Sequence, residues 1–353
     1  MHLLQKFNAQ QALIDVCEPL FYCDPSGDLD LGDPVYRIVF NTQSTNLSYK
    51  VGDALGVFPK NSPQVIDEVL GFLGVSRGTL VSYIRGACVL PIEEFLEKYA
   101  DINKLPAKLL SYFPQELAPN TTLYDALKEF LPRDPLLEEF VNSVFPLLPR
   151  LYSIASSPYV SPQQIELLVR RVSYEGKFHR RYGVCSTFLC ETLCPGKDAP
   201  YVYVQPTKHF TLSERSQDRP IVMIGSGTGI APFKGFVEQR VFLKNPKKNL
   251  LFFGERQKNA NFYYQEFWHE VIDQGSLEMF LAFSRESEQK IYVQDALRTQ
   301  SKRVREAYEE GALFFICGRK ALGIEVKKAL EDILGKEHVH ALKEEQRYIV
   351  DVY

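Results

Sequence analysis

IVMIGSGTGIAPFKGF, residues 221–236, reads as a strand that breaks into glycines and restarts as a helix. Ile221 to Ile224 form an unbroken apolar run, Gly225, Gly227 and Gly229 interrupt it, and Ala231 with Pro232 opens a helical pattern. Glycines at such a junction let the backbone approach a diphosphate, and a helix N-terminus behind them offers unpaired N–H groups and the positive end of a dipole. A tight strand–helix turn uses the same residues, and the spacing is not GxGxxG, so this run by itself leaves both readings open.

Working outward from that run, strands and helices alternate from Pro220 to the last residue. After IVMIG and a helix near residues 231–240 come LLFFG and a helix near 263–272, then LEMFLAFS and a helix over 294–310. LFFICG, a helix over 324–334 and the terminal YIVDVY complete the series. Apolar runs of this kind, separated by amphipathic segments, predict a parallel sheet of about five strands with helices on both faces.

Toward the N-terminus the rhythm differs. VYRIVF, residues 35–40, alternates Tyr36, Ile38 and Phe40 against Val35, Arg37 and Val39, and DALGVFP follows a Gly52-Asp53 turn, which is antiparallel β sequence. At Ser62-Pro63 the period changes to that of a helix carrying Val65, Ile66, Val69, Leu70 and Leu73, with Gly74 as its stop. Thr121-Thr122 precede Leu123, Leu127, Phe130 and Leu131, and Asp134-Pro135 open a further amphipathic segment through Phe140. Strand patterns return at 152–155, at 165–173, where Ile165, Leu167 and Val169 share a face, and at 201–205. The fold class expected is therefore an α+β two-domain protein. Residues 1–217 form an antiparallel β-barrel interrupted by a helical insertion over about 62–145, and residues 218–353 form the α/β parallel-sheet domain.

Composition narrows the function classes. The 353 residues are 45% hydrophobic and 24% charged, a globular balance, and 41 Lys+Arg against 44 Asp+Glu leave a formal charge of -3. That balance argues against a nucleic-acid partner held by phosphate neutralisation. The N-terminal MHLLQKFNAQQALIDVCEPL lacks the apolar core of a secretory signal and no apolar run spans a membrane, so the expected location is cytoplasmic. Seven cysteines without CxxC describe neither a disulfide framework nor a metal site, although Cys185, Cys190 and Cys194 lie close together. No HExxH occurs, and His338 and His340 read as solvated loop residues.

Two further segments carry polar groups suited to dinucleotides. AFSRESEQKIYVQ, residues 282–294, gathers Ser284, Arg285, Lys290 and Tyr292 at a strand's carboxyl end, a set that suits a phosphorylated ribose, although a solvated pair with Glu286 and Glu288 uses the same charges. RLYSIASSP, residues 150–158, and YGVCSTFL, residues 182–189, supply a cation, an aromatic ring, hydroxyls and a glycine turn entering a helix. From spacing alone, Tyr152 is equally a core aromatic and Ser186 a helix cap.

Taken in order, RLYS, GVCST, GTGIAPFKGF, LFFGER, AFSRESEQKIYVQ, ICG and RYIVDVY resemble the FAD/NADPH-binding half of the diflavin reductases, a ferredoxin-NADP reductase-like family. The resemblance runs from YKVGDALGVFPKNSP, at residue 49, to the last residue. Within the family it is greatest to the sulfite reductase flavoproteins, which share DALGV, YVQD and a terminal DVY. The resemblance implies FAD and NADPH as cofactors and no metal. It places Arg150, Leu151, Tyr152, Ser153 and Tyr353 at FAD, with Gly183, Val184, Cys185 and Ser186 at its diphosphate and Tyr174 at its dinucleotide edge. Gly227, Thr228 and Gly229 fall at the NADPH diphosphate, and Ser284, Arg285, Lys290, Ile291, Tyr292, Gln294 and Glu325 at the rest of that coenzyme. Ser153, Cys317, Asp351 and Tyr353 fall around the hydride path.

Three departures from the family pattern stand out. Arg319 follows Cys317-Gly318 where an acid is usual, Glu325 stands where Asp is usual, and barrel sequence begins almost at once, with no flavodoxin-like FMN module ahead of it. The expected activity is an NADPH-dependent FAD reductase, of the sulfite reductase flavoprotein type, passing electrons to a separate acceptor, either a flavodoxin-like FMN protein or an iron–sulfur or haem protein. A stand-alone flavodoxin or ferredoxin reductase is the alternative, and a nucleotide-binding regulatory protein without turnover is a third reading.

Overall fold

The structure, a computed structural model, describes residues 2–20, 32–113, 117–130, 137–178 and 180–353. It divides into two compact units. The first is Met1–Gln11, Gly56–Arg150 and Arg171–Tyr203, and the second is Ala12–Leu55, Leu151–Arg170 and Val204–Tyr353.

In the first unit the helix Pro63–Leu73 starts where Ser62 Oγ accepts from the Val65 N–H at 3.4 Å, and it ends at Gly74, whose φ of 65° lies in the left-handed region that glycine enters without strain. Its buried Ile66, Val69 and Leu70 meet Phe95, Leu96, Leu123, Tyr124 and Phe140 from the helices Ile92–Lys98, Leu123–Glu129 and Leu137–Ser143. Each such side chain removed from water contributes about 1.5–3 kcal/mol. Thr122 and Asp125 close a capping box at the start of Leu123–Glu129. The sequence reading of this region is helical, yet an antiparallel hairpin, Leu80–Tyr83 with Cys88–Pro91, stands among the helices. Its turn holds Ala87 at a φ of 49° and carries none of the Asn-Gly or Asp-Gly pairs that announce a hairpin. Leu131 and the Asp134-Pro135 helix start lie outside the described residues.

The second unit contains two sheets of its own. Leu13–Pro19, Val35–Asn41 and Gln164–Arg170 pair antiparallel in that order, with a bulge between Ile14 and Val16. Both Val35–Asn41 and Gln164–Arg170 depart from simple alternation: Val39 is buried as well as Ile38 and Phe40, and Glu166 and Leu168 are buried beside Ile165, Leu167 and Val169. The reason lies in what covers the second face. Leu168 joins the core beneath the parallel sheet, and Glu166 enters a buried ion network. Among the described residues the antiparallel strands lie in separate sheets, an isolated bridge between Ile154 and Leu167 joins the strand Gln164–Arg170 to the residue after Arg150–Ser153, and a continuous closed barrel ladder is not seen.

The parallel sheet has five strands in the order Glu278–Phe283, Asn249–Glu255, Ile221–Ser226, Leu313–Gly318, Tyr348–Val352. On one face Met223, Leu251, Phe253 and Phe315 pack against Phe233, Phe236 and Trp268. On the other, Ile224, Phe252 and Phe314 pack against Leu297, Val304, Val326 and Leu330. Burial on both sides explains the apolar runs of the three central strands, whereas Leu281 and Val350 on the two outer strands are exposed. The long segment read as one helix over 294–310 is two, Val293–Thr299 and Ser301–Glu309, and His338 and His340 lie exposed on the helix Lys336–Glu344 rather than in a loop.

The helix Ala231–Phe242 is locked to the antiparallel sheet by charge. Lys234 Nζ lies 2.5 Å from Glu238 Oε1 and 3.2 Å from Glu166 Oε1, with the lysine side chain only 9% exposed. Glu238 also accepts from the Ser157 N–H at 2.9 Å, and Arg37 Nε lies 2.8 Å from Glu166. Among the described residues no helix is long and apolar enough to cross a membrane, and no group of His, Cys, Asp and Glu is gathered as a metal site.

Candidate functional site

Strand order fixes where a site forms. Consecutive strands run outward in one direction from Ile221–Ser226 and then jump to its other side at Leu313–Gly318, so the two helical connections leave a crevice at the carboxyl ends of these neighbours. Gly225 pairs with Cys317 and Cys317 with Asp351, which places the three in one row across three strands at that edge.

The glycine turn closes over this row. Gly227–Ile230 forms a 3₁₀ turn leading into Ala231–Phe242, with Pro232 in the first helical turn. Gly227 has a φ of 57°, and a Cβ on Gly229 would stand 2.3 Å from the Cys317 carbonyl oxygen, so neither position accepts a side chain without movement. Between them, Thr228 Oγ1 lies 3.2 Å from the Tyr353 hydroxyl. The Tyr353 N–H donates to Gly318 O at 3.1 Å, and Tyr353 O accepts from the Lys320 N–H, which anchors the last residue to the same edge although the residue as a whole is exposed.

Electrostatics here is set by burial. Burial, and then the neighbouring Asp351, push the Cys317 thiol well above its usual range, so it stays protonated at neutral pH as a weak S–H donor. Asp351 is half-buried and burial raises its pKa too. The Tyr353 phenol is raised by burial first and by Cys317 second, with its bond to Thr228 acting in the opposite direction. Four polar side chains at one partly dry edge, beside a turn with no room for Cβ atoms, fit the approach of a dinucleotide and the orientation of a reactive ring.

Other expected residues lie apart from this corner. Ser284 follows the outer strand Glu278–Phe283, and its N–H donates to Glu255 O at 2.9 Å, which places the Ser284 to Tyr292 segment beyond the carboxyl end of Asn249–Glu255. Arg285, Lys290, Ile291 and Tyr292 are exposed there, and Tyr292 precedes the helix that carries the partly buried Gln294. Glu325 sits on the helix Lys320–Leu334 and pairs with Lys328 at 2.7 Å, and Arg319 is exposed just before that helix. Leu151, Tyr152 and Ser153 belong to the second unit, on the strand Arg150–Ser153, with Leu151 exposed and the other two partly buried.

In the first unit, Gly183 opens the helix Val184–Thr187, which passes into a π turn over Phe188–Thr192. Ser186 Oγ accepts from the Val172 N–H and donates to Gly183 O, both at 3.1 Å, so its hydroxyl braces the turn. Cys185 is buried, with Sγ 3.9 Å from Val57 O. The Tyr174 hydroxyl donates to Asn103 at 3.3 Å, and Arg150 is exposed. Sequence reasoning passed over Thr187. Its Oγ1 is buried and has no hydrogen-bond partner among the described residues, an orphan that fits a cofactor oxygen at the turn expected for a flavin diphosphate. Nothing in the pattern GVCST distinguishes the bracing hydroxyl from the orphaned one.

Residues 88–188 match the FAD binding domain family model and residues 223–328 match the oxidoreductase NAD-binding domain model. The chain is similar to the sulfite reductase [NADPH] flavoprotein alpha-components of Mannheimia succiniciproducens, 33% identical over 92% of this chain and 58% of that protein, and of Bacillus subtilis, 32% identical over 90% and 56%. The alpha-component of Neisseria meningitidis is 34% identical over 90% of this chain and 57% of its own length. The chain thus spans a little over half the length of these relatives.

Proposed function

Because the chain belongs to the FAD- and NADPH-binding flavoprotein family that includes the sulfite reductase flavoprotein alpha-components, we propose that it is an NADPH-dependent FAD oxidoreductase that delivers electrons to a separate protein acceptor. The observation that carries the reading is the Gly225–Cys317–Asp351 row beneath the Thr228–Tyr353 contact. A glycine turn at a sheet's switch point supplies diphosphate binding, and the polar row beside it supplies an orienting surface.

When bound, FAD and NADPH supply the hydride and electron chemistry themselves. The protein's part is to bind, orient and exclude. The N–H groups of the Gly227–Ile230 turn hold the coenzyme diphosphate, while Ser284, Arg285, Lys290 and Tyr292 receive the 2′-phosphorylated ribose. Ile291, Gln294 and Glu325 line the remainder of that coenzyme. Gly183 to Thr187 and Arg150 serve the flavin diphosphate, Tyr174 its dinucleotide edge, and Leu151 and Tyr152 its ring system. Cys317 stays a thiol and offers a weak donor, Asp351 and Ser153 add oriented polar groups, and Tyr353 covers the place the nicotinamide must occupy. We read the functional division as residues 1–217 for FAD, with the insertion over 62–145, and 218–353 for NADPH, the antiparallel strands serving as a ferredoxin reductase-like flavin platform.

The relatives' name of alpha-component favours an acceptor on another chain. The test is the flavin itself: protein purified under mild conditions and then denatured should release FAD, identified by chromatography. Release of FMN in its place, or of no flavin after reconstitution with FAD, removes the reading.

A further inference from the structure

A charged cluster abuts the glycine turn that none of the roles above uses. Arg170, the last residue of the strand Gln164–Arg170, places Nη2 2.8 Å from Glu255 Oε2 and 3.3 Å from the Tyr263 hydroxyl. The arginine side chain is 16% exposed and that of Glu255 is 7%. Both lie at carboxyl ends of strands, Glu255 closing Asn249–Glu255 beside Ile221–Ser226. The pair is seated directly on the turn, because a Cβ on Gly227 would stand 3.1 Å from Glu255 Oε2 and 3.3 Å from Arg170 Nη2.

The turn needs a cation and has none in its own sequence. From Ser226 to Phe233 no residue is charged, and Lys234, the first that is, is committed to Glu238 and Glu166. A diphosphate placed on backbone N–H groups alone would bring two negative charges to a poorly solvated edge, where an uncompensated charge is costly. Arg170 is the cation already there. Its fork carries five donors, of which the two on Nη2 serve Glu255 and the Tyr263 hydroxyl and one on Nη1 reaches the Asp33 carbonyl only at 3.4 Å, so donors on Nη1 and Nε remain for an anion. Tyr353 feels the same guanidinium, which places Arg170 within electrostatic reach of the hydride corner.

We propose that Arg170 is a contact for the coenzyme diphosphate, shared by both nicotinamide coenzymes, with Glu255 as the carboxylate paired to its guanidinium at the glycine turn. The inference rests on the reading that this turn receives the coenzyme. It differs in kind from the role given to Arg285, since the diphosphate is common to NADPH and NADH whereas the 2′-phosphate is not.

The test is to titrate the FAD-loaded full chain and its variants with NADP⁺ and with NAD⁺, following binding by calorimetry, and to record flavin content and melting temperature for each. Arg170→Met should weaken both coenzymes by a similar factor, about ten- to a hundredfold for one lost charge-assisted bond, and Arg170→Lys should recover part of that loss. Glu255→Gln removes a negative charge beside the diphosphate while keeping a hydrogen-bonding oxygen, so it should leave both coenzymes bound as tightly or more tightly, even if it lowers the melting temperature. A purely structural ion pair predicts losses in the same direction from either side, and that result overturns the proposal. Loss confined to NADP⁺, or loss of FAD with coenzyme affinity unchanged, overturns it too, because the guanidinium then serves the 2′-phosphate or the flavin diphosphate. Should Arg170→Met fail to fold, Arg170→Lys and Glu255→Gln still decide through the sign of their effects. If the parent chain binds FAD but neither coenzyme, it is the reading of the turn itself that fails.

Discussion

Cys317 and Asp351 are register partners on neighbouring parallel strands, in the row that also holds Gly225. The pairing puts a buried thiol and a half-buried carboxyl side by side at the sheet's carboxyl edge, where burial and then Asp351 make ionisation of the thiol less favourable. Cys317→Ser should therefore slow flavin reduction in single-turnover measurements while leaving FAD content unchanged. The thiol should also resist alkylation in the folded protein near neutral pH, since the thiolate is scarce and the side chain has no exposure.

Asp351 gives a pH prediction with a definite sign. Its pKa in the folded chain is raised by burial, so the folded state holds the proton more tightly than the unfolded state does. The stability this contributes is complete below the unfolded value of 3.8 and is lost as pH rises through the folded value. Asp351→Asn removes that loss. The variant should melt higher than the parent at neutral pH, and the advantage should vanish in acid below that unfolded value. A difference independent of pH would mean that the carboxyl is not penalised where it stands.

Gly229 tests the closeness of the turn to the row. A Cβ there meets the Cys317 carbonyl at 2.3 Å, with backbone on both sides of the clash. Gly229→Ala should destabilise the chain by about 1–3 kcal/mol and weaken both coenzymes, as read by urea unfolding and by titration. A variant as stable as the parent would show that the turn stands further from the strand.

Lys234, in the run that first disclosed the sheet, is a structural residue. Breaking its buried pairs with Lys234→Met should cost about 3–5 kcal/mol by leaving Glu166 and Glu238 uncompensated, and adding Glu238→Gln should recover part of it. The double-mutant cycle in urea is the check. Additive losses would show that the lysine and the glutamate are not coupled.

Much of the architecture was legible because it rests on local chemistry. The glycine turn, the five apolar strands and the caps at Ser62, Gly74 and Thr122 each follow from side chains close in sequence. The 80–91 hairpin was hidden because its turn relies on Ala87 at positive φ. The double burial of Gln164–Arg170 was hidden because the second covering layer comes from residues far along the chain, such as Phe233 and Phe236. Site residues with motif signatures were legible as candidates. Arg170, Glu255 and Thr187 were not, since their standing comes from where a strand ends or from which hydroxyl lacks a partner.

Arg285 bears on coenzyme choice. If the Ser284 to Tyr292 segment receives the 2′-phosphate, Arg285→Ala should weaken NADPH by about ten- to a hundredfold and leave NADH nearly unchanged, by loss of a charge-assisted contact. Equal losses for both coenzymes would return Arg285 to the surface.

The central claim is that this chain takes a hydride from NADPH onto its own FAD. Its most direct test is to load the purified chain with FAD, add one equivalent of NADPH anaerobically, and follow the flavin absorbance in a stopped-flow instrument. The account predicts bleaching of the oxidised flavin band, faster with NADPH than with NADH, and slowed by Cys317→Ser. A flavin band that stays unchanged in the presence of saturating NADPH would contradict it.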